Sequence, residues 1–290
     1  MQTRQLGPFS VSAIGLGAMP FSLGRTPAPS EEQAVDTVHA ALDAGVTFID
    51  TADIYAPSWD QMGHNERIVA TALRSYGDTS HVVVGTKGGI TRSEGEQWGR
   101  DGSPDYLRRA VEASLRALDV DVIDLYQWHR PDRWRVYGEV VQTLKDLQTE
   151  GKIRAVGISN ADVEEIDVAL EVLGEGGLAS VQNEFSPRFR SSRAELDHCG
   201  EHGVAFLPWS PLGGTGAAGD VGAIYPAFQE IGTERGVSPQ QVVLAWELSL
   251  GTHVIPIPGA SRPQSITDSA GAVDLQLSDE EVARIERQYT

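Results

Sequence analysis

The chain has 290 residues, 40% of them hydrophobic and 22% charged, with 31 glycines, 15 prolines and a single cysteine. These proportions exclude a disordered, collagen-like or disulfide-framework chain, and a protein of this length can bury a full core without metal or disulfide staples. The 23 Lys and Arg against 41 Asp and Glu leave a net charge of −18, a field that repels phosphate backbones and anionic lipids and so argues against nucleic-acid or membrane partners.

The N-terminal MQTRQLGPFS lacks the apolar core of a signal peptide, and no apolar run approaches the roughly 18 residues that suggest a membrane helix. A cytoplasmic protein is the expectation. Short β-branched runs bounded by Gly, Asp, Asn or Pro recur at 11–17, 46–51, 82–87, 124–129, 153–159, 178–184, 204–209 and 253–259. A helical pattern fills each interval between consecutive runs. The first opens at Ser30 with Glu31 and Glu32 behind the cap and Val35, Val38 and Leu42 on one face. The next covers 65–73. The third starts at Ser103-Pro104-Asp105, with proline at the first helical position and Leu107, Val111, Leu115 and Leu118 in register. Stretches 136–147, 162–173, 192–199 and 238–248 complete the alternation, and a further helix begins near Pro263.

Strands alternating with helices imply parallel strands joined by crossover helices. Eight such units in one chain without a linker predict a single (β/α)₈ barrel domain over 1–290. Segments 88–102 and 211–222 are predicted to be irregular loops at the C-terminal rim, where barrels carry function.

Polar residues gather at the strand ends. The second strand closes on Asp50, with Tyr55 in the loop beyond; the third closes on Lys87 and the fourth on His129. Taken singly, these are a loop cap, a packing tyrosine and a structural histidine. On three neighbouring strands they converge. A buried Lys87 needs an acid partner, and Asp50 is nearest. An ammonium beside the Tyr55 phenol is expected to lower its pKa, making Tyr55 a proton donor to a carbonyl oxygen that His129 orients. The arrangement calls for no metal.

Several blocks resemble the aldo-keto reductases: Phe48-Ile49-Asp50-Thr51-Ala52-Asp53-Ile54-Tyr55, Gly85-Thr86-Lys87-Gly88-Gly89, Asp124-Leu125-Tyr126-Gln127-Trp128-His129-Arg130-Pro131 and Ile153-Arg154-Ala155-Val156-Gly157-Ile158-Ser159-Asn160. The opening Val11-Ser12-Ala13-Ile14-Gly15-Leu16-Gly17-Ala18-Met19, then Val181-Gln182-Asn183-Glu184-Phe185, Pro208-Trp209-Ser210-Pro211-Leu212-Gly213 and Ile255-Pro256-Ile257-Pro258-Gly259 match as well, in family order along the whole chain. The resemblance implies a barrel that binds an extended nicotinamide dinucleotide without a Rossmann domain. It implies a catalytic tetrad of Asp50, Tyr55, Lys87 and His129, with Tyr55 as general acid in reducing an aldehyde or ketone.

The same resemblance assigns the cofactor contacts. Gly17, Ala18 and Met19 would line the cleft, Ser159, Asn160 and Gln182 would meet the carboxamide, and Trp209 would stack on the nicotinamide. Ser210, Pro211, Leu212 and Gly213 would lie along the pyrophosphate. Gly259, Ala260, Ser261 and Arg262 follow the last strand, and an arginine there can fork onto a 2′-phosphate, which argues for NADPH over NADH. Ser265 stands where many members carry a basic residue, and Ser269, after Asp268, where they carry asparagine near the adenine. Phe21, Trp59, Trp98, Trp128 and Arg130 are the candidate substrate contacts.

The run Gly214-Thr215-Gly216-Ala217-Ala218-Gly219 spells a dinucleotide fingerprint, but Pro211 and Gly213 separate it from its strand and no ribose-binding acid follows in a βαβ unit. Two other readings stay open: a cofactor-binding redox sensor or partner-regulating subunit on the same fold, and a Schiff-base aldolase using Lys87. The expected partner is a small carbonyl compound; oligomeric state is left open, a monomer being favoured.

Overall fold

The computed structural model describes residues 1–24, 27–214 and 216–289. Its first element was not anticipated: β1 (Thr3–Leu6) and β2 (Phe9–Ser12) form an antiparallel hairpin around Gly7, whose φ of +52° suits glycine. The single strand expected over 11–17 is therefore divided. Val11 and Ser12 belong to the hairpin, and only Leu16–Gly17 (β3) enters the main sheet. Ser12 marks the break. Its amide donates to Thr47 Oγ1 and its hydroxyl to the Ile14 carbonyl, which turns the chain out of the hairpin.

From β3 the chain alternates through α1 (Glu31–Asp43), β4 (Phe48–Asp50), α2 (His64–Tyr76) and β5 (Val83–Gly88). A second hairpin, β6 (Ile90–Ser93) with β7 (Gln97–Arg100), occupies most of the segment expected to be an irregular loop. Then come α3 (Pro104–Leu118), β8 (Ile123–Trp128), α4 (Tyr137–Thr149), β9 (Ile153–Ser159), α5 (Val163–Leu173), β10 (Leu178–Gln182), α6 (Arg193–Glu201) and β11 (Ala205–Phe206). The chain closes with α7 (Val221–Ile224), α8 (Pro226–Arg235), α9 (Pro239–Ser249), α10 (Pro263–Gly271) and α11 (Asp279–Glu286). Ser30 and Ser103 cap their helices as the sequence predicted, each accepting from the amide three residues on, and Asp162 with Glu165 forms a full capping box on α5.

The seven parallel strands run β11-β10-β9-β8-β5-β4-β3. Residues 253–259 fill the eighth place. Val254 bridges Phe206 of β11, and Gly259 bridges Gly17 of β3, so the sheet closes into the (β/α)₈ barrel. Pro256 and Pro258 interrupt this last strand, because neither has an N–H to give to the ladder. Ile255 and Ile257 donate to Phe206 and Pro208 on one side, while the proline carbonyls accept from Gly15 and Gly17 on the other.

Barrel strands alternate between two cores. Phe48, Val83, Leu125, Ala155, Ala179 and Ile255 fill the interior, and Leu6 and Val11 of the N-terminal hairpin close its base. Residues of opposite parity, such as Ile49, Tyr126 and Val156, pack outward against the helices, and Val181 joins them because a register irregularity between Leu178 and Ser180 resets the alternation on β10. This places the open end of the barrel at the strand C-termini.

Candidate active site

A cavity of about 290 Å³ opens there. Asp50 and His129 reach it from the ends of β4 and β8, Tyr55 folds over from the loop after β4, and Lys87 stands behind them at the end of β5. The Lys87 ammonium lies 2.6 Å from Asp50 Oδ2, 2.8 Å from the Thr51 carbonyl and 3.4 Å from the Tyr55 hydroxyl. It lies behind the phenol and is fully buried, so Asp50, Tyr55 and His129 line the cavity while Lys87 does not. The Tyr55 and His129 rings meet edge to face, with centroids 5.7 Å apart.

Burial acts to lower the Lys87 pKa, but Asp50 and then Tyr55 outweigh it and hold the ammonium above its ordinary value. That protonation works against a Schiff base at Lys87, which needs a free amine. Tyr55 corrects the sequence expectation in part. Lys87 pulls its pKa down as foreseen, yet burial is the larger effect and Asp50 reinforces it, so the phenol titrates above 10 and remains a proton donor at neutral pH. His129 is pushed well below 6.5 by burial, then by Lys87 and Arg130. It is therefore neutral, with Nδ1 unpartnered among the described residues.

A hydrogen-bond chain missed in the sequence supports the carboxylate. Gln182 Nε2 donates to Asp50 Oδ1 at 2.8 Å, and Gln127 Nε2 reaches the same oxygen at 3.3 Å. Gln127 projects inward two residues after Leu125, so its signal was parity on β8. The same parity removes Trp128, which faces the helices and packs on Tyr137 with centroids 4.8 Å apart. Phe21 is buried in that outer layer too, and Trp59 sits on a short exposed turn; none of the three lines the cavity. Trp98 and Arg130 do line it, Trp98 being carried in by the β6–β7 hairpin under the Arg92 guanidinium.

The residues ascribed to the cofactor fall into two groups. Gly17, Met19, Ser159, Asn160, Gln182, Trp209, Ser210, Pro211, Leu212 and Gly259 all border the cavity. Ser159 donates to the Gln182 carbonyl, while Asn160 donates to the Ser159 hydroxyl and the His129 carbonyl. Asn160 and Ser210 both hold left-handed backbone, with φ of +60° and +53°, as residues at functional sites often do. A Cβ on Gly17 would come within 2.8 Å of the Ile257 carbonyl, so only glycine fits where the barrel closes.

The other group lies apart. Ala18 and Ala260 are buried in the outer core, and Gly213 borders a separate 150 Å³ cavity with Arg188 and Tyr225. The Ser261 carbonyl accepts from Gln33, and Ser269 is buried on α10. Asp268 is committed to Ser238 and Gln241 of α9. Arg262 is exposed before α10 and donates to Ser265 Oγ at 3.0 Å. Gly214 and Gly216 of the glycine-rich run border the main cavity, whereas its Thr215 lies outside the described residues.

The cleft suits a dinucleotide. Its lining combines a flat indole whose Nε1 is buried without a partner among the described residues, amide and hydroxyl side chains, and several glycines. The comparisons define the class. The Aldo/keto reductase family pattern matches residues 13–289. A 6-dehydroglucose reductase of Novosphingobium aromaticivorans is 36% identical over 94% of this chain and 90% of its own length. An uncharacterised oxidoreductase of Schizosaccharomyces pombe is 32% identical over 99% and 89%. Among solved structures, a glycerol dehydrogenase of Gluconobacter oxydans superimposes with a TM-score of 0.84 at 28% identity, covering 99% of this chain and 94% of that one. A Klebsiella pneumoniae aldo/keto reductase in complex with NADP and acetate gives 0.83 at 29%, covering 100% and 96%. The chain belongs to the Aldo/keto reductase family and is an oxidoreductase.

Among the described residues, no helix is long and apolar enough to cross a membrane.

Proposed function

We propose that this protein reduces an aldehyde or ketone to the alcohol with NADPH, using Tyr55 as the proton donor. The observation that carries the reading is one buried ammonium, Lys87, bonded to Asp50 on one side and to the Tyr55 hydroxyl on the other, with Tyr55 facing the cavity. The nicotinamide supplies a hydride to the carbonyl carbon when bound. Tyr55 gives its proton to the carbonyl oxygen, and Lys87 stabilises the phenolate left behind. Neutral His129 holds the carbonyl oxygen in reach. Asp50 keeps Lys87 charged and in place. Trp209 supplies the ring face for the nicotinamide, and Ser159, Asn160 and Gln182 supply polar groups for its carboxamide. The NADP carried by the Klebsiella structure supports this choice of cofactor, and the oxidoreductase relatives support the reaction class.

The test is NADPH oxidation with a panel of aldehydes and ketones, for the native protein and Tyr55→Phe. The variant is expected to bind NADPH normally and to lose about 10²- to 10⁴-fold in turnover, the usual contribution of general acid catalysis. Near-native turnover in folded Tyr55→Phe removes Tyr55 from the mechanism.

A further inference from the structure

Arg130 follows His129 at the end of β8 and lines the cavity beside the reacting groups. It is half-buried, and among the described residues its guanidinium makes no hydrogen bond and no ion pair, only a distant approach to the Trp209 ring at 6.0 Å. The neighbouring rim arginines are engaged: Arg92 donates to the Ala56 carbonyl and pairs with Glu96, and Arg100 donates to the Pro131 carbonyl. Glu184 is the acid whose charge acts on Arg130, but it lies beyond ion-pair distance and is shared with exposed Arg188. In a chain with 41 acidic residues, a partly desolvated cation left unpaired in a cavity marks a place where the counter-charge comes from outside.

We infer that Arg130 is an anion subsite, and that the substrate is an oxo acid: an aldehyde or ketone whose carboxylate pairs with Arg130 while its carbonyl meets Tyr55 and His129. This rests on the reductase reading above. Guanidinium geometry matches a carboxylate with two parallel N–H···O bonds. Arg130 is the one guanidinium among the described residues lining the cavity, and Arg100 and Glu184 both act on it from nearby with opposite sign, a balance that suits a single carboxylate. Ile54, Ile90 and Trp98 line the same cavity and offer apolar surface to a short carbon spacer. In the reaction the carbonyl carbon gains hydride from the reduced nicotinamide and the oxygen gains the Tyr55 proton. A hydroxy acid and NADP⁺ result, solvent reprotonates Tyr55, and the carboxylate is unchanged.

The experiment compares 4-oxobutanoate with butanal, and 4-formylbenzoate with benzaldehyde, in the native protein, Arg130→Met and Arg130→Lys. Native kcat/KM is expected to favour each acid by about 10- to 100-fold, mainly through KM, as for a charge-assisted hydrogen-bonded contact. In Arg130→Met that ratio falls toward one, and Arg130→Lys restores it in part. Benzoate titrated into the NADP⁺-loaded protein by calorimetry gives a readout independent of turnover: it should bind the native protein and bind Arg130→Met at least about tenfold more weakly. Reduction of both partners at equal efficiency by the native protein overturns the inference and leaves the reductase standing. A ratio unchanged in Arg130→Met, with NADPH affinity lost instead, assigns Arg130 to the cofactor and also overturns it. If no carbonyl is reduced, the reductase reading fails, and the benzoate titration alone decides the anion subsite.

Discussion

Lys87 Nζ lies 2.6 Å from Asp50 Oδ2, and both side chains are almost wholly removed from solvent. This pair joins β5 to β4 at the floor of the active site. Asp50 is held from the far side by Gln182 of β10 and Gln127 of β8, so one carboxylate ties four strands together.

Breaking that pair on one side strands a buried charge, at a cost of about 3–5 kcal/mol. Lys87→Met is therefore expected to lose both turnover and stability. Adding Asp50→Asn removes the stranded charge and recovers much of the melting temperature without recovering activity. Thermal unfolding and NADPH oxidation measured on the single and double variants separate the two roles. Equal stability of Lys87→Met and its double variant would show that the gap left by Lys87, rather than the charge on Asp50, dominates the loss.

Trp209 lines the cavity beside Ser210, with its indole N–H unpartnered among the described residues. Dinucleotide binding should quench its fluorescence, and Trp209→Ala should weaken binding of oxidised and reduced forms alike. Quenching that survives in Trp209→Ala assigns another tryptophan to the cofactor.

Arg262 is expected to read the 2′-phosphate. It is exposed and already donates to Ser265, so its contribution belongs at the lower end for a charged hydrogen bond, about tenfold in affinity. Arg262→Ala should weaken NADPH binding by that order and leave NADH nearly untouched, and added salt should narrow the native preference. Parallel loss for both cofactors would mean that Arg262 shapes the loop only.

Glu247, in α9, is fully buried, and neither of its carboxylate oxygens has a hydrogen-bond partner among the described residues. Burial holds its pKa well above 4.5. The folded protein therefore keeps this proton where the unfolded chain has lost it. The stabilisation is full below about pH 4.5 and is lost as pH rises through the folded pKa. Glu247→Gln should melt at least about 2 °C above the native protein at pH 8, with the gap closing at pH 5. A pH-independent difference would assign the effect to packing.

Composition and periodicity determined much of this protein. Alternating β-branched runs and capped helical stretches required parallel strands with crossovers, and the strand-end positions of Asp50, Lys87 and His129 are one-dimensional facts that parallel topology turns into a cluster. The helix caps at Ser30 and Ser103 were legible because their hydrogen bonds are local. The Ser278-to-Glu281 capping box of α11 was equally legible and went unread. Tertiary structure decided the rest. The N-terminal hairpin exists because Leu6 and Val11 find a barrel base to close, and Pro256 and Pro258 serve in a strand because two neighbouring strands supply donors and acceptors around them. Parity on β8 turned Gln127 inward and Trp128 outward. The balance at Tyr55 depends on burial, which sequence spacing does not carry: Lys87 was visible as its neighbour, but the desolvation that outweighs Lys87 arises only when the loop folds over the barrel.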